Sequence, residues 1–254
     1  MGISLQKASV GKRIIAAIFD FICLSIIAVG LATLFSLSFG YDGYMHTVES
    51  TYERYETEYG VKFDITNQEY EKMSEDERKA YDTAYQALVA DKDVVYAYNM
   101  LINLTILIIT FSILISVLAV EFVVPLLFRN GQTLGKKIFG IGVMHTAGIK
   151  VSALQLFVRA VLGKFALEIM IPLSIVIMIF FNSIGIVSVV VLFILLAVQV
   201  ICLVSTRTWS LLHDVIAGTV AVDLASQRIF DTKEQLLEYT KARHAEQVAK
   251  DNTY

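Results

Sequence analysis

The chain has 254 residues, of which 56% are hydrophobic and 18% are charged, and its formal net charge is −3. Its mean hydropathy of +0.63 excludes an ordinary soluble domain, because the charged residues lie outside three long apolar blocks. These blocks, residues 14–40, 94–128 and 165–206, contain one charged residue each. A helix needs about 20 apolar residues to cross a bilayer, so the sequence predicts an integral membrane protein.

Four membrane-spanning helices follow from these blocks. The first two blocks suit one helix each, over residues 14–40 and 97–125. The third is about twice the length of a single crossing and has a turn signal at residues 182–185. We therefore expect two helices there, over residues 165–181 and 184–205. Three crossings are the alternative, if residues 165–181 only dip into the membrane.

The distribution of charge predicts the orientation of these helices. Residues 1–13 carry three basic side chains and no acidic one, and residues 126–164 carry six and none. Residues 41–93 carry six basic and fourteen acidic side chains. Because basic loops stay in the cytoplasm, we expect both termini and the loop 126–164 inside and the acidic insert outside. Three crossings would instead place the C-terminus outside.

The insert and the inner loop each have a predicted structure. Ser74 followed by three acidic residues is typical of a helix N-terminus, and the helix should run to about Ala90. The insert is either a solvated helical hairpin or a surface that collects cations or binds a partner. In the loop 126–164, we expect a short glycine-rich hairpin after Gly131. An interfacial amphipathic helix over residues 152–164, with Arg159 and Lys164 on its basic outer face, should then contact anionic lipid.

The remaining segments surround a second candidate motif. Residues 206–224 contain His213 and Asp214 and are predicted to lie at the membrane surface, and residues 225–254 form a cytoplasmic tail. Cys23 and Cys202 lie inside predicted helices, where they are expected to be packing residues rather than a disulfide.

Charged residues inside the apolar blocks are the strongest functional signal. Arg13 and Asp20 are seven residues apart, so they share a helix face at a distance of about 10 Å. A buried carboxylate needs a partner, a proton or a water-filled cavity, and Glu121 should lie at a similar depth to Asp20. Arg13 alone is also explained as an interface anchor, and Lys164 with Glu168 as a local salt bridge.

Because the first block is long and contains Asp20, we expect it to remain as a helix rather than be cleaved as a signal peptide.

Several other kinds of chemistry have no signature in the sequence. The stretch from Gly131 to Lys136 is one residue too short for a phosphate-binding loop and lacks its Ser or Thr. The histidines and carboxylates do not have metal-ligand spacing, and no nucleophile stands beside a base. We therefore expect no enzyme activity, no cofactor, no metal and no nucleic-acid partner.

Three short motifs resemble the RDD family of bacterial membrane proteins. Arg13 and Asp20 match the arginine and the aspartate of the family's first helix. The second aspartate matches Asp214, within a segment that includes His213, Ala217, Gly218 and Thr219. The inner motif matches Gly131, Gln132, Gly135 and Lys136. The resemblance covers residues 11–40 and 98–223, not the insert, and implies a helical membrane protein; transport, including cation/proton exchange for some members, has been proposed for the family.

Two functions follow as expectations for an all-α polytopic protein with a small bundle of four transmembrane helices, an interfacial amphipathic helix and an extracytoplasmic helical insert. The first is a transporter or transport accessory for a small ion or solute, with Arg13, Asp20, Asp214 and Glu121 as a cluster at the inner leaflet. Four helices are few for a transport path, so we expect a homo-oligomer in the lipid bilayer. The second is a scaffold that binds partners through its acidic ectodomain and its basic inner surface.

Overall fold

The computed structural model describes residues 6–128, 130–180, 186–206 and 208–251. Most of these residues are helical. The chain divides into two compact units: the first comprises Met1–Ala28 with Ile113–Tyr254, and the second comprises Val29–Ser112. The turn predicted at residues 182–185 lies outside the described residues.

Long apolar helices form the framework of the protein. In the described parts of the chain, three helices are long and apolar enough to cross a membrane. They are α1 (Val10–Ser38), α5 (Lys92–Leu127) and α7, which runs over residues 153–180. A further apolar helix, α8, covers Ile186–Ser205, within the region where the sequence predicts a fourth crossing.

Helix α1 buries a small residue and a carboxylate and exposes its large apolar side chains. Its only buried residues are Ala16 and Asp20, whereas large apolar side chains such as Ile18 and Phe21 are more than half exposed. A helix of a soluble protein has the reverse pattern. The arrangement suits a helix that presents its apolar side chains to lipid.

Helices α5 and α7 both contain π-helical segments. In α5 the segment is Leu118–Val123, and in α7 it is Arg159–Met170. A π-helix bonds residue i to residue i+5, and such segments are frequent at functional sites. They change which side chains share a helix face.

The structure differs from the sequence prediction at the start of α7. Ser152 caps the helix at Ala153 in a capping box with Gln155. The helix then continues to Phe180 without a break, so residues 152–164 are the first part of the long helix rather than a separate interfacial helix. Arg159 was expected on its basic outer face but is only 1% exposed, because the π-helical turns direct it inward.

A two-stranded antiparallel sheet joins two distant parts of the first unit. Strand β1 (Ile141–His145) pairs with β2 (Thr219–Asp223), with Val143 opposite Ala221. The local hairpin expected after Gly131 is reduced to a bridge between Met144 and Lys150, because β1 pairs mainly with the distant β2. This sheet brings the inner motif and the segment around Asp214 into one body. Short helices flank it: α6 (Leu134–Ile138) before β1 and α9 (Leu212–Ala217) before β2.

The second unit contains the acidic insert. Its helices are α2 (Tyr41–Tyr59), α3 (Asn67–Lys72) and α4 (Glu75–Ala90). Helix α4 has Ser74 as its N-cap and ends at Ala90, as the sequence predicts. At the other end of the chain, α10 (Lys233–Asp251) forms the tail.

Candidate functional site

Asp20 binds the N-terminus of the short helix α6. Its Oδ1 accepts a hydrogen bond from the backbone N–H of Gly135 at 2.8 Å, and its Oδ2 accepts one from the hydroxyl of Thr133. The ammonium of Lys136 lies 3.7 Å from Oδ2. A helix N-terminus offers unpaired N–H groups and a partial positive charge, so α6 satisfies a carboxylate that is only 3% exposed.

The inner motif has the residues that this contact requires. A Cβ at Gly135 would lie 2.3 Å from the carbonyl oxygen of Ala16, so only glycine lets α6 approach α1. Gly131 has a φ of +63°, which favours glycine. The amide of Gln132 donates to the carbonyl of Ile141 at 2.9 Å and so attaches the loop to β1.

Glu121 lies among three cationic side chains. Its Oε1 accepts a hydrogen bond from Lys164, and its Oε2 lies 3.3 Å from Nη1 of Arg159 and 3.8 Å from Nζ of Lys136. In an α-helix, Arg159 and Lys164 would point about 140° apart. In the π-helical segment they are one turn apart, so both reach the same carboxylate.

Asp214 is held mainly by Arg159. Its Oδ1 accepts from Nε of Arg159 at 2.9 Å and from the hydroxyl of Thr219 at 2.9 Å. Its Oδ2 lies 3.7 Å from Nη2 of Arg13 and has no hydrogen-bond partner among the described residues. Arg13 also donates to the backbone carbonyl of Trp209. Arg159 therefore links Asp214 to Glu121.

His213 and Glu168 extend the network toward α8. Nδ1 of His213 lies 2.8 Å from Oε1 of Glu168, which also accepts from the amide of Gln199 at 2.9 Å. Gly163 makes this approach possible, since a Cβ there would lie 2.5 Å from the Cβ of His213. Gly218 ends α9 with a φ of +64°.

Burial and neighbouring charges shift the pKa values of the groups outside the long apolar helices. Burial lowers the pKa of Lys136 from 10.5 to about 8, and Glu121 opposes part of that shift. Burial also lowers the pKa of His213 below 6.5, which favours its neutral form at pH 7. For Asp214, burial alone would raise the pKa, but the guanidinium of Arg159 holds it well below its usual value.

A small cavity opens beside Asp214, with a volume of about 60 Å³. Four cationic side chains and one carboxylate are among its lining residues. The charged and polar members are Arg13, Lys136, Arg159, Lys164, His213 and Asp214. Helix α9 and strand β2 contribute residues to the lining, and both belong to the segment that contains His213 and Asp214.

The structure connects the four residues that the sequence singled out, but not directly. Arg13 lies beside Asp214, whereas Asp20 contacts α6. The link between them passes through Lys136, Glu121 and Arg159. We use the name inner network for seven charged residues: Arg13, Asp20, Glu121, Lys136, Arg159, Lys164 and Asp214. Arg13, Asp20 and Asp214 were expected to meet at one point. The structure instead links them through a chain of ion pairs.

Four charged residues of the site were not in the predicted cluster: Lys136, which was predicted only as part of the inner motif, and Arg159, Lys164 and Glu168. Glu168 had a sequence signal of the same kind as Asp20, since it is the one charge of its apolar block. The predicted local pair of Lys164 with Glu168 is replaced by separate partners, Glu121 for the lysine and His213 for the glutamate. In the described parts of the chain, no group of three or more His, Cys, Asp or Glu residues is arranged to hold a metal ion.

Comparison with known proteins identifies the family. No curated protein and no solved structure matches the chain at a significant level. The sequence model of the RDD family matches residues 7–218, a range that contains every member of the inner network as well as His213 and Glu168. The match covers far more than half of the sequence, and the chain therefore belongs to the RDD family.

Proposed function

We propose that this protein is a multi-pass protein of the bacterial cytoplasmic membrane that moves, or helps to move, a small ion or solute. The inner network and the cavity beside Asp214 would form the part of the path at the cytoplasmic side. The proposal does not include an enzyme activity.

The observation that carries the proposal is the number of charged groups buried among apolar helices. Asp20, Glu121, Arg159 and Asp214 are each at most 3% exposed. Well-packed apolar residues commonly replace a buried ion pair with no loss of stability. Ionisable residues in membrane-spanning segments are by default a sign of an ion or solute pathway. A protein that only needed an anchor would not require them.

The proposed topology has four crossings, with α8 as the fourth. Both termini and the loop 126–164 would face the cytoplasm, and the acidic insert 41–93 would lie outside. The basic character of the inner segments supports this orientation. Lys137 is exposed, so it is available to contact anionic lipid at the inner surface.

A homo-oligomer is part of the proposal. Many large apolar side chains of α1, α5 and α8 are exposed, including Phe21, Ile106 and Phe193. In a membrane, lipid or another copy of the protein would cover them. A single copy offers few helices to surround a path, which favours assembly of several copies.

The scaffold function has less support. It relies on two binding faces, the acidic ectodomain and the basic inner surface of residues 126–164, and the second of these is weakened by the structure. Three of the six basic residues of that loop, Lys136, Arg159 and Lys164, are buried or nearly so and are paired with carboxylates. They are therefore not available to bind an external partner.

The test is ion flux in proteoliposomes that contain the purified protein. We would assay protons, sodium and phosphate separately, with wild type, Asp20→Asn and the control Asp223→Asn. Asparagine at position 20 keeps one acceptor oxygen for the Gly135 N–H, so the variant is expected to fold. Asp223 pairs with Lys12 outside the inner network.

We expect wild type and Asp223→Asn to show protein-dependent flux of at least one ion, and Asp20→Asn to lose most of it at an unchanged amount of folded protein. Absence of flux for all three ions, or equal flux in all three proteins, would contradict the proposal.

A further inference from the structure

The cavity beside Asp214 has a chemical character that points to a class of ligand. Among the residues that the structure describes, its charged lining has four cationic side chains and a single carboxylate. The other carboxylates of the inner network, Asp20 and Glu121, are not among the lining residues. The wall of the cavity therefore presents an excess of positive charge.

A cation would find one carboxylate oxygen without a hydrogen-bond partner among the described lining residues, Oδ2 of Asp214, and this oxygen lies 3.7 Å from the guanidinium of Arg13. Glu121 already has three cationic neighbours, and Oδ1 of Asp214 accepts two hydrogen bonds. Asp20 binds α6. A metal ion or an ammonium group would lie among four cationic side chains and be repelled by them, whereas an anion would be attracted to them.

One atom of the wall lacks a partner and imposes a further requirement. Oδ2 of Asp214 is fully buried and has no hydrogen-bond partner among the residues described. Nη2 of Arg13 lies 3.7 Å from this oxygen and Nε2 of His213 lies 3.5 Å from it, and both residues also line the cavity. A carboxylate oxygen only accepts hydrogen bonds, so a ligand that meets it must donate one.

We propose that the cavity binds a small oxyanion that carries a hydroxyl group, of the class of hydrogen phosphate. The oxygens of the anion face the guanidinium and ammonium groups of Arg13, Lys136, Arg159 and Lys164, and its hydroxyl donates to Oδ2 of Asp214. This names the ligand class of the proposed transport site and so rests on the proposed function for its role in transport, although binding can be measured without it.

The size of the cavity fits this class. A volume of about 60 Å³ corresponds to about four to six water molecules at the roughly 10–15 Å³ that one needs. That is room for one small tetrahedral ion and not for a nucleotide or a sugar phosphate. The same chemistry is found in free phosphate and in the phosphomonoester headgroup of phosphatidic acid.

Discrimination between phosphate and sulfate provides the test. Sulfate has a similar size and shape but no hydroxyl at neutral pH, so its oxygen would face Oδ2 of Asp214 with two acceptors in contact. We would measure binding of inorganic phosphate and of sulfate by calorimetry, with the full-length protein in nanodiscs of neutral lipid. An unpaired buried acceptor is costly, and we expect wild type to prefer phosphate by about tenfold or more.

The substitution Asp214→Asn should change this preference. Asparagine keeps an oxygen for Arg159 and presents an amide donor where Oδ2 was, so sulfate should bind as well as phosphate or better. Asp223→Asn is the matched control and should retain the preference of wild type. If Asp214→Asn does not fold, the comparison of the two anions in wild type still decides the proposal.

The source of the ligand is separated by a second arm, with phosphatidic acid in the nanodiscs and no free phosphate. Binding of free phosphate with preference over sulfate supports a soluble ligand. If phosphate instead competes only weakly and phosphatidic acid occupies the site, a lipid headgroup is supported. Absence of binding for both, or equal affinity of wild type for phosphate and sulfate, overturns the inference.

Phosphate binding without flux would contradict the transport function alone, and sodium or proton flux without phosphate binding would contradict this inference alone.

Discussion

The inner network and the acidic insert use the same residue types in opposite ways. In the inner network, Asp20 and Glu121 are buried, and their partners are far away in the sequence: Thr133 is 113 residues from Asp20. In the insert, Glu69 and Glu77 are exposed, and each bonds to a helix cap three residues before it. The insert thus satisfies its charges locally and with water, whereas the network satisfies them only when the whole first unit has formed.

This difference has an energetic consequence. Exposed ion pairs contribute little, because water and salt screen them and both side chains lose freedom. A buried pair that loses one partner leaves an uncompensated charge in an apolar environment. The two regions should therefore respond very differently to the loss of a single arginine, and substitutions can test this.

The largest effect is expected for Arg159→Met. Arg159 contacts both Glu121 and Asp214 at 1% exposure, so its removal deprives two buried carboxylates of a partner. We expect a loss of about 3–5 kcal/mol in unfolding free energy, measured by thermal or denaturant unfolding in detergent.

Arg54→Met is the matched control in the insert. Arg54 pairs with Asp91 at 2.7 Å, but its side chain is 59% exposed. Its removal should leave the unfolding transition almost unchanged. Similar losses of stability in the two variants would show that the distinction between the regions is wrong.

The sequence predicted the insert better than the network, for the same physical reason. Ser74 and Glu77 form a capping box over three residues, so a short window contains the whole interaction. Asp20 and Glu121 were identified because each is the one charge of an apolar block. Their partners could not be found in this way, because the fold brings together residues that are distant in the sequence.

The π-helical segment explains the error at Arg159. With 3.6 residues per turn, Arg159 and Lys164 would point about 140° apart, so a shared buried partner was not expected and both were assigned to the exposed basic side. The bonding of residue i to i+5 brings both to Glu121, and no sequence rule for this change was available. The pairing of β1 with β2 was missed because the strands lie on either side of two long helices.

A pH-dependent effect of intermediate size is expected at Lys136. The charged groups that face it are Asp20 on α1, Glu121 on α5, and Arg159 and Lys164 on α7. Its pKa is about 8 in the folded protein, against 10.5 for an unperturbed lysine. Between these values the unfolded chain binds more protons than the folded one, so stability should rise with pH.

The cost of burying the charged lysine is therefore present below about pH 8 and is relieved as the pH approaches 10.5. Relative to Lys136→Met, wild type should gain at most about 3 kcal/mol over this range. Lys79→Met, which removes an exposed lysine of the insert, controls for the loss of a charge. A stability difference between wild type and Lys136→Met that does not change with pH would contradict the assignment.

The smallest effect concerns close packing, and Gly135→Ala tests it. The added Cβ would lie 2.3 Å from the carbonyl oxygen of Ala16. This oxygen belongs to the backbone of α1, so α6 must move away and weaken its hydrogen bond to Asp20. Overpacking of this kind costs about 1–3 kcal/mol, measured as unfolding free energy in detergent. Gly11→Ala, near the start of the same helix α1, is the control, because a Cβ there meets no atom within 4 Å and alanine favours helix. If Gly135→Ala were as stable as Gly11→Ala, Asp20 would not depend on the close approach of α6, and the buried network would be as insensitive to a single substitution as the insert is expected to be.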